Sequence, residues 1–314
     1  MSGCSVQVQA PATRSRGRAR AASASHGLRR SAVGTPAAAV TLRLPRSPHC
    51  FFCLFRSSLV MPTDDSERGL TAWLRRWWRP LIAEVVATAL LVLLGVAALL
   101  PVDGKHPPLT HPAFAFGIVV LANVEAFGPT SGAHMNPSVT LAALLDGRIG
   151  PIAAAAYVIA QIFGATLGFG ALMAIAPDAF NSGANVGGNA PGSVGVIAAA
   201  GVEALLTGVL ALLCCAIWRA HDEGKQDPTV SIKFGLTIAG LVYAGGVMSS
   251  ASLNPARSFG PALLLGFRSD HWVYWVGPLG GSALGTLLHR YVLRPSRPAP
   301  PRVEDLPLHD KTEH

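Results

Sequence analysis

The sequence predicts an all-α membrane protein with six transmembrane helices and two re-entrant half-helices, arranged as an inverted repeat. Three observations carry that expectation. Half of the 314 residues are hydrophobic and only 13% are charged, about half the charge of a soluble domain. Several apolar runs are long enough to cross a hydrocarbon core of roughly 30 Å as helices. The dipeptide Asn-Pro occurs twice, at Asn136-Pro137-Ser138 and at Asn254-Pro255-Ala256, each time opening a short apolar run.

The net charge of +8 belongs to the N-terminal tail. Residues 1–80 hold 13 arginines, no lysine and three acids, Asp64, Asp65 and Glu67. The basic excess therefore gives no reason to expect nucleic-acid binding by the folded part. Placed beside the first span, it fits retention of both termini in the cytoplasm, since Arg290, Arg294, Arg297 and Arg302 also lie at or beyond the last span. Of the five cysteines, Cys50 and Cys53 have C-x-x-C spacing without a second pair, so no zinc site is expected. No cofactor, metal cluster or nucleophile–base pair is expected, and an enzyme is not indicated.

Residues 1–68 read as a basic, disordered tail. Its first sixty residues contain no acid, which leaves three readings open: disorder, a transit peptide, or an extension upstream of a start at Met61. The channel domain is placed at 69–293 and a disordered tail at 294–314. Leu70 to Trp78 mixes Trp73, Trp77 and Trp78 with Arg75 and Arg76, a composition suited to a membrane interface. The spans are expected at about 81–102, 112–127, 151–176, 194–218, 229–247 and 271–292.

Two repeats, about 81–176 and 194–292, follow from the pattern. Glu84 precedes Asn136 by 52 residues and Glu203 precedes Asn254 by 51. Each repeat has three spans, an odd number, so the halves lie in opposite orientations and the functional site falls at the midplane. Asn is a favoured N-cap, and Pro suits the first helical position because its missing N–H costs nothing there. Each Asn-Pro thus starts a helix of roughly ten residues, about 15 Å long, or half of the core. Entering from opposite faces, the two N-termini meet at the centre. Each brings about half a positive charge, which repels cations and hydronium. Each Asn amide is expected to accept from its own helix through oxygen and to donate into the pore through nitrogen.

These motifs resemble the aquaporin, or major intrinsic protein, family: Ser-Gly-Ala-His-Met-Asn-Pro at 131–137, Asn-Pro-Ala-Arg-Ser-Phe-Gly-Pro at 254–261, and the two repeat glutamates. The similarity covers about residues 75–293. It implies an aquaporin-like fold around one pore, a homotetramer in the lipid bilayer, and a plasma-membrane location. It assigns a selectivity filter to Phe116, Val242, Ala251 and Arg257. It gives Glu84 and Glu203 the role of bracing the re-entrant loops. Gln161 is expected to brace the first half-helix, and Gly132, Ala133 and His134 to line the pore with backbone.

Val242 stands twelve residues before Asn254, between Leu241 and Tyr243, where water channels carry His; Ala251 stands where many carry Cys. An apolar wall of this kind suits the carbon backbone of glycerol. Phe116, Ser258 and the pair Tyr274-Trp275 instead resemble the water channels. The expectation is a passive channel for water and small uncharged solutes, including glycerol or urea. The alternatives are a strictly water-selective channel and a structural or adhesion protein with a weak pore.

Overall fold

In the computed structural model, residues 69–181 and 186–294 are described; the two tails and Met61 lie outside the described residues. Helix α1 spans Leu70–Ala97, α2 Thr110–Ser131, α3 Pro137–Leu145, α4 Pro151–Ile175 and the single turn α5 Asp178–Asn181. Then come α6 (Val196–Asp222), α7 (Val230–Ser249), α8 (Pro255–Leu265) and α9 (Val273–Leu288), the last continuing as a π turn over His289–Leu293. Among the described residues five helices, α1, α2, α4, α6 and α7, are long and apolar enough to cross a membrane. Helix α9 has only 16 residues before its backbone widens into the five-residue π turn, shorter than the span expected at 271–292. The chain is an integral membrane protein with two short half-helices, α3 and α8.

The first helix begins eleven residues earlier than the span expected from 81. Pro80 lies inside α1 without ending it. The tryptophans expected at the interface divide: Trp78 is 49% exposed, but Trp77 is 2% exposed and meets Tyr157 edge-on, with ring centroids 5.8 Å apart.

Packing follows the repeat. Helix α1 lies along α4 in the first half, α6 lies along α9 in the second, and α2 pairs with α7 across the two. Small residues set the closeness of the first two pairs. A Cβ at Gly164 or Gly168 would collide with the carbonyl oxygens of Val85 and Ala89 on α1. Gly281 on α9 stands in the same relation to the Ala204 carbonyl on α6. This is how helices associate where no hydrophobic effect drives them together. Gly170 is not part of that face; its nearest neighbour would be the Leu264 side chain at 3.6 Å. The outer faces are apolar: Ile152, Ile159, Phe163 and Leu167 form an exposed stripe along α4, as lipid contact requires.

Candidate functional site

The site is built from the two loops that precede α3 and α8. Helix α2 ends in a left-handed residue, Gly132 at φ 83°, and α7 ends likewise at Ser250, φ 68°. The chain then turns inward through Ala133 (φ 48°) and Met135 (φ 52°) in one loop, and through Ala251 (φ 42°) and Leu253 (φ 54°) in the other. Such angles are disfavoured by roughly 1–2 kcal/mol for residues with a Cβ, so something must hold them.

Two buried carboxylates do. Glu84, fully buried on α1, accepts at Oε1 from the Ser131 hydroxyl at 2.7 Å and the His134 N–H at 2.9 Å. Its Oε2 accepts from the Met135 N–H at 2.7 Å and from Gln161 Nε2 at 2.8 Å. Glu203 repeats the pattern on α6. It accepts from the Ser249 hydroxyl, the Ser252 N–H and the Leu253 N–H, each at 2.8 Å. Gln161 also donates to the Thr140 hydroxyl at 2.9 Å, tying α4 to α3. Each carboxylate thus satisfies backbone donors that no helix or sheet could reach.

Each loop ends on a capped half-helix. Asn136 has extended backbone, and its Oδ1 accepts from the Ser138 N–H at 2.8 Å. Asn254 Oδ1 accepts from the N–H groups of Ala256 at 3.0 Å and Arg257 at 3.3 Å. Pro137 and Pro255 occupy the first helical position. The amide nitrogens do something beyond what the sequence predicts. Asn136 Nδ2 donates to the Leu253 carbonyl at 2.9 Å, and Asn254 Nδ2 donates to the Met135 carbonyl at 2.7 Å. One hydrogen of each amide therefore crosses to the other loop, leaving a single hydrogen to face outward, because an amide has only two. Ser138 is fully buried, and its carbonyl accepts from the Ser282 hydroxyl of α9 at 2.6 Å.

Both asparagines border one cavity of about 730 Å³. It is lined from His106 and Leu109 at one end of the bundle to Asp222 and Asp227 at the other. Gly132, Ala133 and His134 also border it. The His134 ring contributes as well as its backbone: Nδ1 lies 3.1 Å from the Thr140 hydroxyl, and the ring meets Tyr157 edge-on at 5.3 Å. At the Asp227 mouth, the Lys233 ammonium, with the hydroxyl and N–H of Thr229, holds the Asp227 carboxyl well below the usual carboxylate range.

Toward the other end, Phe116, Val242, Ala251 and Arg257 line the same cavity. All four are buried. The Arg257 guanidinium lies 5.4 Å from the centroid of the Phe116 ring. Its Nη1 donates to the Gly187 carbonyl at 2.6 Å and to Asn189 Oδ1 at 2.8 Å. Neither partner is legible in the sequence: both lie in a Gly- and Asn-rich connector with no motif to distinguish them. Asn189 also lines the cavity, is 7% exposed, and leaves its Nδ2 without a partner. The arginine is thus held inside the cavity and not at the lipid face, as a charge within a membrane protein requires.

The fold and this cavity define a transmembrane channel. The chain matches the family model described as Major intrinsic protein over residues 72–289. It is 36% identical to Aquaporin-5 of Sus scrofa over 232 residues, covering 69% of this chain and 82% of that protein. It is 38% identical to Aquaporin-2 of Rattus norvegicus over 225 residues, with 69% and 80% covered. To the lens fiber major intrinsic protein of Ovis aries it is 37% identical over 226 residues, with 70% and 82% covered. Among solved structures, that of the aquaglyceroporin from Plasmodium falciparum superposes with a TM-score of 0.62 at 22% identity, over 69% of this chain and 97% of that one; this likeness bears on the fold alone. The chain belongs to the major intrinsic protein family, and it is a passive channel, not an enzyme.

Proposed function

We propose that this channel conducts water and excludes protons and ions. The observation that carries the reading is the convergence of three positive features on one cavity: the N-termini of α3 and α8, and Arg257 between Phe116 and Asn189. Two helix N-termini, each worth about half a charge, and a guanidinium make a field that a cation must climb and a neutral molecule does not feel. The free amide hydrogens of Asn136 and Asn254 give a passing water two donors. A water held by both has its oxygen engaged and cannot relay a proton along the file. Relatives named aquaporins support water as the solute.

Six crossings complete the scheme, with α9 and its π turn as the sixth. The assembly is a homotetramer in the plasma membrane with both termini cytoplasmic. Glu84, Glu203 and Gln161 hold the loops, and Phe116, Val242, Ala251 and Arg257 set the filter. A second reading, passage of glycerol or urea beside water, is favoured by one observation: Val242 and Ala251, which line the cavity, have hydrocarbon side chains. Proteoliposomes given an osmotic step and then a glycerol or urea gradient separate these readings. Water flux well above that of empty vesicles with slow solute entry supports the first. Rapid glycerol entry supports the second. Shrinkage no faster than that of empty vesicles would sink both.

A further inference from the structure

Around Arg257 the cavity is lined by the small hydrocarbon side chains of Val242 and Ala251, a weak basis for rejecting a polyol. The opposite half of the cavity carries an aromatic side chain that nothing above uses. Trp218, in the last turns of α6, is 7% exposed and lines the cavity. Its ring centroid lies 6.2 Å from that of His134. His134 is itself fixed, by Thr140 at Nδ1 and by the edge of Tyr157. The Arg148 guanidinium lies 5.2 Å from the Trp218 ring centroid. Arg148 in turn is anchored by Asp146, with Nε to Oδ2 at 2.7 Å, and by both oxygens of Asp222 at 2.7 and 3.3 Å. The indole thus has two held neighbours, the His134 imidazole and a guanidinium with three carboxylate contacts.

We propose that Trp218 forms a second constriction of the pore, in the half opposite Arg257, and that Arg148 positions it. The proposal rests on the channel reading and deepens it. An indole held beside His134 narrows the lumen to a width that a single file of water passes. A polyol needs more width than a single file of water, and an indole held in place takes up that width. Discrimination that Val242 and Ala251 give up at one end is recovered at the other. Trp218 is the specificity residue; Arg148 touches no permeant and acts through the ring it holds.

The test is the glycerol-to-water permeability ratio in proteoliposomes of the full chain, for the wild type and for Trp218→Ala, Trp218→Phe and Arg148→Met. Water flux per protein reports that each variant is assembled. The expected result is a ratio raised about fivefold or more in Trp218→Ala, in keeping with loss of a steric wall, with Trp218→Phe and Arg148→Met in between. If Trp218→Ala does not reach the membrane, Trp218→Phe carries the same comparison. A ratio equal to the wild type in every assembled variant would overturn the inference while leaving the channel reading intact. Wild-type water flux no faster than that of empty vesicles would overturn both.

Discussion

Asn254 donates its side-chain nitrogen to the Met135 carbonyl at 2.7 Å, across 119 residues of sequence. Asn136 returns the bond to the Leu253 carbonyl at 2.9 Å. The two re-entrant loops are therefore cross-linked at their tips by the same side chains that cap their half-helices. A substitution at either position removes a cap and leaves a buried carbonyl unpaired.

Asn254→Ala is expected to destabilise the protein by about 2–4 kcal/mol, combining a lost cap of about 1 kcal/mol with an unsatisfied buried acceptor of about 1–3 kcal/mol. Thermal unfolding in detergent checks the stability, and osmotic flux in vesicles checks the expected loss of conduction. Wild-type unfolding temperature and flux would show that the cross-link is dispensable.

Glu84→Gln and Glu203→Gln test the loop braces. An amide keeps one acceptor oxygen but turns an NH₂ group toward backbone donors. At Glu84 it would face the Met135 N–H or the His134 N–H, and at Glu203 the Ser252 N–H or the Leu253 N–H. Each change is expected to cost about 1–3 kcal/mol and to lower the yield of assembled protein. Equal yield and stability in both variants would argue that water, not the carboxylate, satisfies the loops.

At the filter, Val242→His adds a polar side chain to a hydrocarbon wall and narrows it. Any glycerol flux is expected to fall about fivefold or more while water flux changes little. Unchanged glycerol entry would remove Val242 from the constriction. Asn189→Ala frees one side of Arg257 and is expected to alter the same ratio, a result that a purely peripheral connector would not give.

Ala251 offers no sulfur to a mercurial, and the described cysteine on the cavity wall is Cys214. Mercurial inhibition of water flux is expected to be abolished by Cys214→Ser. Inhibition that survives that change would mean that the reagent acts elsewhere.

Close packing gives the last prediction. Gly281→Val places a branched side chain against the Ala204 carbonyl and forces α6 from α9. The expected cost is at least about 1–3 kcal/mol, read as loss of folded protein in detergent. A stable, conducting variant would show that this contact can relax.

The half-helices were legible because their signals are short-range. An Asn cap, a Pro at the first position and a short, mostly apolar run all lie within one stretch of chain. The paired glutamates were legible because the repeat spacing singled them out. The expected ends of the spans moved by several residues, most at α1. Its arginine-rich first turns run into the apolar span as one helix, through Pro80.

The chain by itself determined the class of protein, the repeated pattern of a glutamate followed by an Asn-Pro segment, and the two capped half-helices. Only the tertiary structure decided which groups those residues meet. Asn136 finds Leu253, Arg257 finds Gly187 and Asn189, and Trp218 finds His134 and Arg148. The reason is physical. Caps and periodicity are written in neighbouring residues, whereas a re-entrant loop has unsatisfied polar groups that can be paired only by whatever the folded helices bring beside it.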